Sequence, residues 1–327
     1  MTSTVTTTLP AVLAAPTTVE LRPRYEGSNI CTWIGFKHVN YLVEEAVLDH
    51  FRQSGTSARK LYEDYGLCVE FVDLDTRISS AFHMDDLVTA NVVPAAKSDS
   101  GELAFNVALT VHGEGKPVRS ATAKVRILLR VDRRGGPAEE IPAELRPFTA
   151  ASISRPDHSA APLPVLAPAR SPRDAADDPV TAQLTRGTNS FAWRWRIPYP
   201  YCHFTERLQM SGYLRQMEEV VDLFLADRGV SIRTLLDEQS WIPVVPRSTI
   251  AMIGEALMEE DLYTVFTVEE VYKGMTYTAA MDCYVVRDGV LIRTATGRIT
   301  HGYAVIQNRR DWNLVEFDKR MLTALAG

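Results

Sequence analysis

The sequence predicts an α+β protein made of two copies of one unit, each a long helix followed by a meander of antiparallel strands. Three observations lead there. Two segments carry apolar residues at helical spacing and end on glycine, the segments downstream of them match at a nearly constant separation, and a Pro/Ala/Arg-rich stretch divides the two series.

The helical segments are residues 29–55 and 203–229. In the first, Val39, Leu42, Val43, Ala46, Val47 and Phe51 fall on one face; in the second, Tyr213, Leu214, Met217, Val220, Val221, Phe224 and Leu225 do so. Gly55 and Gly229 close them, glycine being the cheapest residue for a left-handed helix end. These glycines stand 174 positions apart, as do the pairs Glu44-Glu45 and Glu218-Glu219. Residues 81–87 match 256–262 at a separation of 175, which reads as one inserted residue. The separation returns to 174 for Gly115 and Gly289, and for residues 118–125 against 292–299.

Taken in order, residues 1–25 are rich in Thr, Ala and Pro and are expected to form an irregular arm. Residues 26–131 form the first domain: the helix, a short helical stretch at 57–65, an alternating strand at 68–78, an acidic turn at Asp85-Asp86, and strands at 87–93, 103–111 and 118–131. Residues 132–188 change to Pro, Ala and Arg and read as a linker that buries little apolar surface. Residues 189–306 repeat the order, with a leading strand at 191–198, strands near 241–253, 262–271, 276–286 and 290–299, and a hairpin turn at Arg287-Asp288-Gly289. Residues 307–327 are a tail expected to form a terminal helix or docking arm.

At 327 residues, with 46% hydrophobic and 23% charged residues and a formal net charge of −6, the chain is long enough for two ordinary cores and has no basic field suited to nucleic acid. No apolar run approaches the ~20 residues of a membrane span, and the opening has no basic n-region, so a cytoplasmic location is expected. Cys31, Cys68, Cys202 and Cys283 show no C-x-x-C spacing, so reduced, mostly buried thiols are expected and no metal or cofactor is implied.

The repeat resembles the hotdog fold, and more narrowly the 4-hydroxybenzoyl-CoA thioesterase-like and acyl-ACP thioesterase families. In that pattern a loop enters the helix, Tyr-Leu follows near its start, and two Glu lie five and six residues after the Tyr; Tyr213-Leu214 with Glu218-Glu219 fits it. The first copy keeps Glu44-Glu45, has Val39-Asn40 in place of Tyr-Leu, and shows His38-Val39-Asn40, similar to the His-Val-Asn of acyl-ACP thioesterases. The resemblance implies a tandem (double) hotdog: two curved antiparallel sheets, each wrapped around a central helix, forming an intrachain pseudo-dimer. It further implies an acyl-CoA or acyl carrier protein thioester as substrate, hydrolysed in the cleft between the halves, where helix N-termini polarise the carbonyl. A homodimer of such chains is an expected assembly.

Thioesterases of this group place an Asp ten residues before the Tyr, as nucleophile or base. Here that position is His203 in the second copy and Asn29 in the first, neither of them acidic. His203 suits a general base near neutral pH. His38 and Asn40 are candidates to orient water or the carbonyl, Glu206 to replace the missing carboxylate, and Glu219 to supply the helix carboxylate, one of each Glu pair being expected to turn inward and the other to solvent. Trp33, Arg207, Gln209 and Tyr213 are the candidate substrate contacts, and Cys31 and Cys202 are weaker nucleophile candidates. Two alternatives to hydrolysis remain. The resembled scaffold also supports dehydration or hydration of 3-hydroxyacyl or enoyl thioesters with a His and an acid, but the Gly-Asp and Pro-Leu-His signature of that chemistry is not found here. Loss of the acid in both copies keeps open a non-hydrolytic acyl-binding or tailoring role in specialised, polyketide-like metabolism.

Overall fold

The computed structural model describes residues 10–95, 101–113, 115–155, 163–164 and 178–327. The chain divides into two compact units, Met1–Ile153 and Ser154–Gly327. In unit 1 the elements are β1 (Thr17–Leu21), α1 (Phe36–Gln53), α2 (Ala58–Tyr65), β2 (Leu67–Ile78), β3 (Leu87–Pro94), β4 (Leu103–His112), β5 (Val118–Val131) and β6 (Thr149–Ala150). Unit 2 holds β7 (Leu163–Pro164), α3 (Pro179–Thr185), β8 (Ser190–Arg196), β9 (Cys202–His203), β10 (Arg207–Leu208), α4 (Met210–Asp227), α5 (Ile232–Gln239), β11 (Trp241–Met252), β12 (Asp261–Tyr272), β13 (Thr276–Arg287), β14 (Val290–Gln307), β15 (Asp311–Leu314) and α6 (Lys319–Ala326).

The unit 1 strands run in the order β1-β3-β4-β5-β2, and those of unit 2 in the order β8-β12-β13-β14-β11. Each position in one order has its counterpart in the other 174 residues later. Thr17 pairs with Val92 as Phe191 pairs with Phe266. Leu103 pairs with Ile127 as Tyr277 pairs with His301. Even the bulges correspond: the β4–β5 register slips after Leu109, and the β13–β14 register after Cys283. Each sheet is laid against its long helix, whose apolar stripe supplies the core: Val39, Val43, Val47 and Phe51 in α1, and Leu214, Met217, Val220 and Phe224 in α4, are almost wholly buried. Both helices end as the sequence predicts. Gly55 and Gly229 adopt φ of +74°, and the following N–H groups reach back to Phe51 and Leu225.

Three expectations are corrected. The turn before β3 contains no insertion, since Ile34 N–H donates to Phe82 O as Leu208 N–H donates to Ala256 O, and Asp85 and Glu259 both take positive φ. Residues 81–87 therefore match 255–261 at 174, and the apparent step of 175 came from aligning the acidic pairs. The arm is not irregular where described: β1 lines the sheet edge, and His50, fully buried in α1, accepts from Thr17 Oγ1 (2.9 Å) and donates to Leu13 O (3.2 Å). Residues 132–188 are partly folded. Leu145, Phe148 and Ile153 are buried, β6 runs parallel to β5, and α3 is capped by Asp178. Apolar side chains spaced between prolines are enough to fix these pieces. Residues 1–9 of the arm and 156–162 and 165–177 of the linker lie outside the described residues. The tail forms β15 and α6, docked on unit 2 through Gln239 to Asp318 (2.7 Å) and Arg320 to Glu238 (2.7 Å). Among the described residues no helix is long and apolar enough to cross a membrane.

Candidate active site

The segment entering each long helix folds back on itself at the same register. Asn29 N–H donates to Trp33 O (2.9 Å) and Gly35 N–H to Gly27 O (3.0 Å) in unit 1. In unit 2, His203 pairs with Arg207 across the β9–β10 hairpin, and Gln209 N–H donates to Tyr201 O (3.1 Å). The shorter helices α2, α3, α5 and α6 are each capped by a side chain, Ser57, Asp178, Ser231 and Asp318. The two long helices differ: Gly35 and Gln209 stand at their N-caps, and neither residue makes a side-chain cap bond. At the positive dipole ends of α1 and α4 the N-cap residue itself therefore supplies no acceptor.

Shape at these entries is set by a reciprocal exchange. A Cβ on Gly27 would lie 2.7 Å from His38 Cγ. In unit 2 the two matching positions are Tyr201 and Gly212, so the bulk sits on the loop and the glycine on the helix, where a Cβ would lie 2.4 Å from Leu208 Cδ1. Each entry tolerates one large group, and each unit supplies it from the opposite side.

Asn29 is exposed, and its amide lies over Gly35, 2.5 Å from where a Cβ would stand. Trp33 is half-buried, edge-on to His83 at 6.3 Å. His38 is buried against Tyr41 at 5.0 Å between ring centroids. Asn40 is wholly buried, donating to Phe36 O (3.0 Å) and accepting from Thr76 Oγ1 (2.6 Å). It ties α1 to β2, which corrects its expected role in orienting water. The matching positions in unit 2 hold Leu214 and Ile250, both apolar and buried, so hydrocarbon stands there in place of the hydrogen-bonded pair.

In unit 2 the structure brings His203, Glu206, Arg207 and Gln209 together at the hairpin before α4. His203 is half-buried with its ring 4.7 Å from that of Phe204. Arg207 is 2% exposed, donates to Thr205 Oγ1 (3.1 Å) and reaches Glu255 at 4.0 Å, which fixes the loop from beneath. Tyr213 is fully buried, facing Thr294 and Cys283 without an aligned hydrogen bond, and burial pushes its phenol up. It is a core residue in this position, a correction to the expected substrate contact.

Glu219 is exposed, whereas Glu218 is half-buried, so the inward member of the second pair is Glu218. In the first pair, half-buried Glu44 is the perturbed group: burial, helped by the neighbouring Glu45 charge, pushes its carboxyl from 4.5 up to about 8. Displaced ionisation at a helix carboxylate is the signature expected of acid–base groups. Sequence reasoning gave this role to Glu219, because the period of a helix alone does not say which of two adjacent carboxylates faces in. Cys31 is exposed, Cys202 is half-buried with its thiol pushed up by burial, and Cys68 and Cys283 are buried, so half of the thiols rather than most are buried.

No family profile matches the chain, and no curated protein matches it by sequence. Solved structures do match by fold. A 12:0-ACP thioesterase from Umbellularia californica is 12% identical with a TM-score of 0.55, over 94% of this chain and 99% of that one. An acyl-ACP thioesterase from Bacteroides thetaiotaomicron is 11% identical with a TM-score of 0.53, over 88% and 97%. A protein provisionally named an oleoyl thioesterase from Lactobacillus plantarum is 9% identical with a TM-score of 0.57, over 88% and 95%. At these identities the likeness establishes the fold, a tandem hotdog, across most of the chain.

Proposed function

We propose that this chain hydrolyses acyl thioesters of coenzyme A or acyl carrier protein. The observation that carries the reading is the fold, shared along nearly the whole chain with proteins named for acyl-ACP hydrolysis, which sets a loop at the N-terminus of each long helix. A helix N-terminus suits a thioester carbonyl, whose oxygen becomes an oxyanion as water adds. His203 is the base in this reading: it takes the proton of the attacking water, and the thiol leaves protonated as the carbonyl reforms. Glu206 and Gln209 flank it, Arg207 holds the hairpin in place, and Asn29 and Trp33 border the entry in unit 1. Glu44, protonated near neutral pH, is suited to donate rather than accept a proton. Glu219, being exposed, is the weakest of the proposed catalytic residues.

Thiol release from a panel of acyl-CoAs, followed with a colorimetric thiol reagent, tests this. His203→Ala is expected to lower turnover by about 100-fold or more, and unchanged turnover would remove His203 as the base. The missing carboxylate at positions 29 and 203 favours one further reading, a non-hydrolytic acyl-binding role. Ligand binding with neither thiol release nor a change in enoyl absorbance would establish it, and a change in enoyl absorbance without thiol release would indicate dehydration of a 3-hydroxyacyl thioester.

A further inference from the structure

On the β13–β14 pair, unit 2 buries polar groups where the matching positions of unit 1 bury hydrocarbon. Tyr277 and Tyr303 are 0% exposed and His301 is 4% exposed. Their counterparts 174 residues earlier, Leu103, Ile127 and Leu129, are equally buried. The fold therefore does not require polar atoms at these positions.

The three side chains converge. Tyr277 and His301 are directly paired across β13 and β14, and their rings stack at 5.3 Å and 20°. The phenols of Tyr277 and Tyr303 lie within hydrogen-bonding reach of one another, but they are not aligned for a bond. Trp241 and Phe317 cover the cluster, each 5.9 Å from the Tyr303 ring. Tyr277 Oη, Tyr303 Oη and both His301 ring nitrogens have no hydrogen-bond partner among the described residues. Such atoms are expensive to bury unsatisfied, and a native core rarely gathers several in one place.

The chemistry narrows the occupant. Burial lowers the His301 pKa to about 3, so the ring is neutral, with one nitrogen donating and the other accepting. Burial also keeps both phenols protonated. The cluster thus offers neutral donors and an acceptor inside an aromatic wall, and no cation of the cluster would balance an anion.

We infer that Tyr277, His301 and Tyr303 form an internal subsite that hydrogen-bonds an uncharged oxygen-bearing group, a hydroxyl or ketone, carried on an apolar body. Taking that group to be a substituent of the acyl chain rests on the hydrolase reading; the subsite itself does not.

The test compares the parent with Tyr277→Phe/Tyr303→Phe, which keeps the rings and removes both hydroxyls. A second variant, Tyr277→Leu/His301→Ile/Tyr303→Leu, installs the residues of unit 1. Two probe pairs are titrated by calorimetry, ω-hydroxypalmitoyl-CoA against palmitoyl-CoA and hexanol against hexane, with His301 ring NMR shifts as a second readout in the parent and the double Phe variant. The parent is expected to prefer each hydroxylated member by about tenfold. Both variants are expected to lose that preference, while still binding palmitoyl-CoA. Hydroxyl-dependent binding of hexanol without any binding of the acyl-CoAs or of palmitoyl-acyl carrier protein would retain the subsite and sink the hydrolase reading. No preference in the parent, or a preference intact in both variants, would overturn the subsite and leave an internal water as the only occupant.

Discussion

Glu44 allows a test of the burial argument that requires no substrate. In the folded chain its carboxyl is pushed from 4.5 to about 8, first by burial and then by the Glu45 charge. The folded state therefore holds this proton more tightly than the unfolded state, and stability must fall as pH rises between those two values. Below pH 4.5 both states are protonated and the group contributes nothing; above about pH 8 both are ionised and the cost is constant. Each pH unit between them costs about 1.4 kcal/mol. The full penalty is at most roughly 5 kcal/mol, less what water reaching the half-buried carboxyl restores. Glu44→Gln removes the titration while keeping the shape. Urea unfolding of parent and variant at a series of pH values from 5 to 9 should show the variant's advantage growing through that range and levelling near pH 8, and a ¹³C carboxyl titration should place the midpoint directly. An advantage that stays constant with pH, or a carboxyl midpoint near 4.5, would refute the reasoning.

Asn40→Leu alone strands the Thr76 hydroxyl and should cost about 1–3 kcal/mol, whereas Asn40→Leu/Thr76→Ile, which installs the Leu214–Ile250 pair of unit 2, should recover most of it; additive losses in denaturant unfolding would show the pairs are not equivalent. Asp178 is wholly buried, caps α3, and pairs with Arg194 (2.9 Å) and Tyr263 (3.2 Å), so Asp178→Ala should destabilise by about 3–5 kcal/mol and lower the melting temperature; a melt within a degree of the parent would count against this network. Burial lowers the His50 pKa below 6.5, so its anchorage of the N-terminal strand is intact above that value and weakens as pH falls below it; amide exchange in residues 17–21 should quicken as the solution is acidified, after correction for intrinsic rates, and a flat profile would exclude His50 as the anchor. Gly27→Ala pushes a methyl into His38 and should cost about 1–3 kcal/mol, with His38→Gly in the same chain restoring stability in thermal melts.

Much of the architecture was legible in the amino-acid order. Helical period, terminal glycines and alternating strands are local signals, and a single separation of 174 carried them from one unit to the other. The same separation holds the position of β1, since the strand read from Phe191 onward has its counterpart at Thr17. By itself that segment is not legible as an edge strand, because five residues among Thr and Pro have too weak an alternation. The loop residues before α4 were also legible, because a hairpin and a helix start fix their neighbourhood within a few positions.

Other features came only with the packed fold. That Asn40 is a tie between helix and sheet, that Tyr213 is core, that burial raises the Glu44 carboxyl, and that Tyr277, His301 and Tyr303 share one buried space all depend on atoms distant in sequence. A residue's periodicity tells which face it occupies, and the sequence alone determined that much. Whether a polar group on that face finds a partner, loses its solvent or keeps its charge depends on what the other elements bring against it, and tertiary structure decided that.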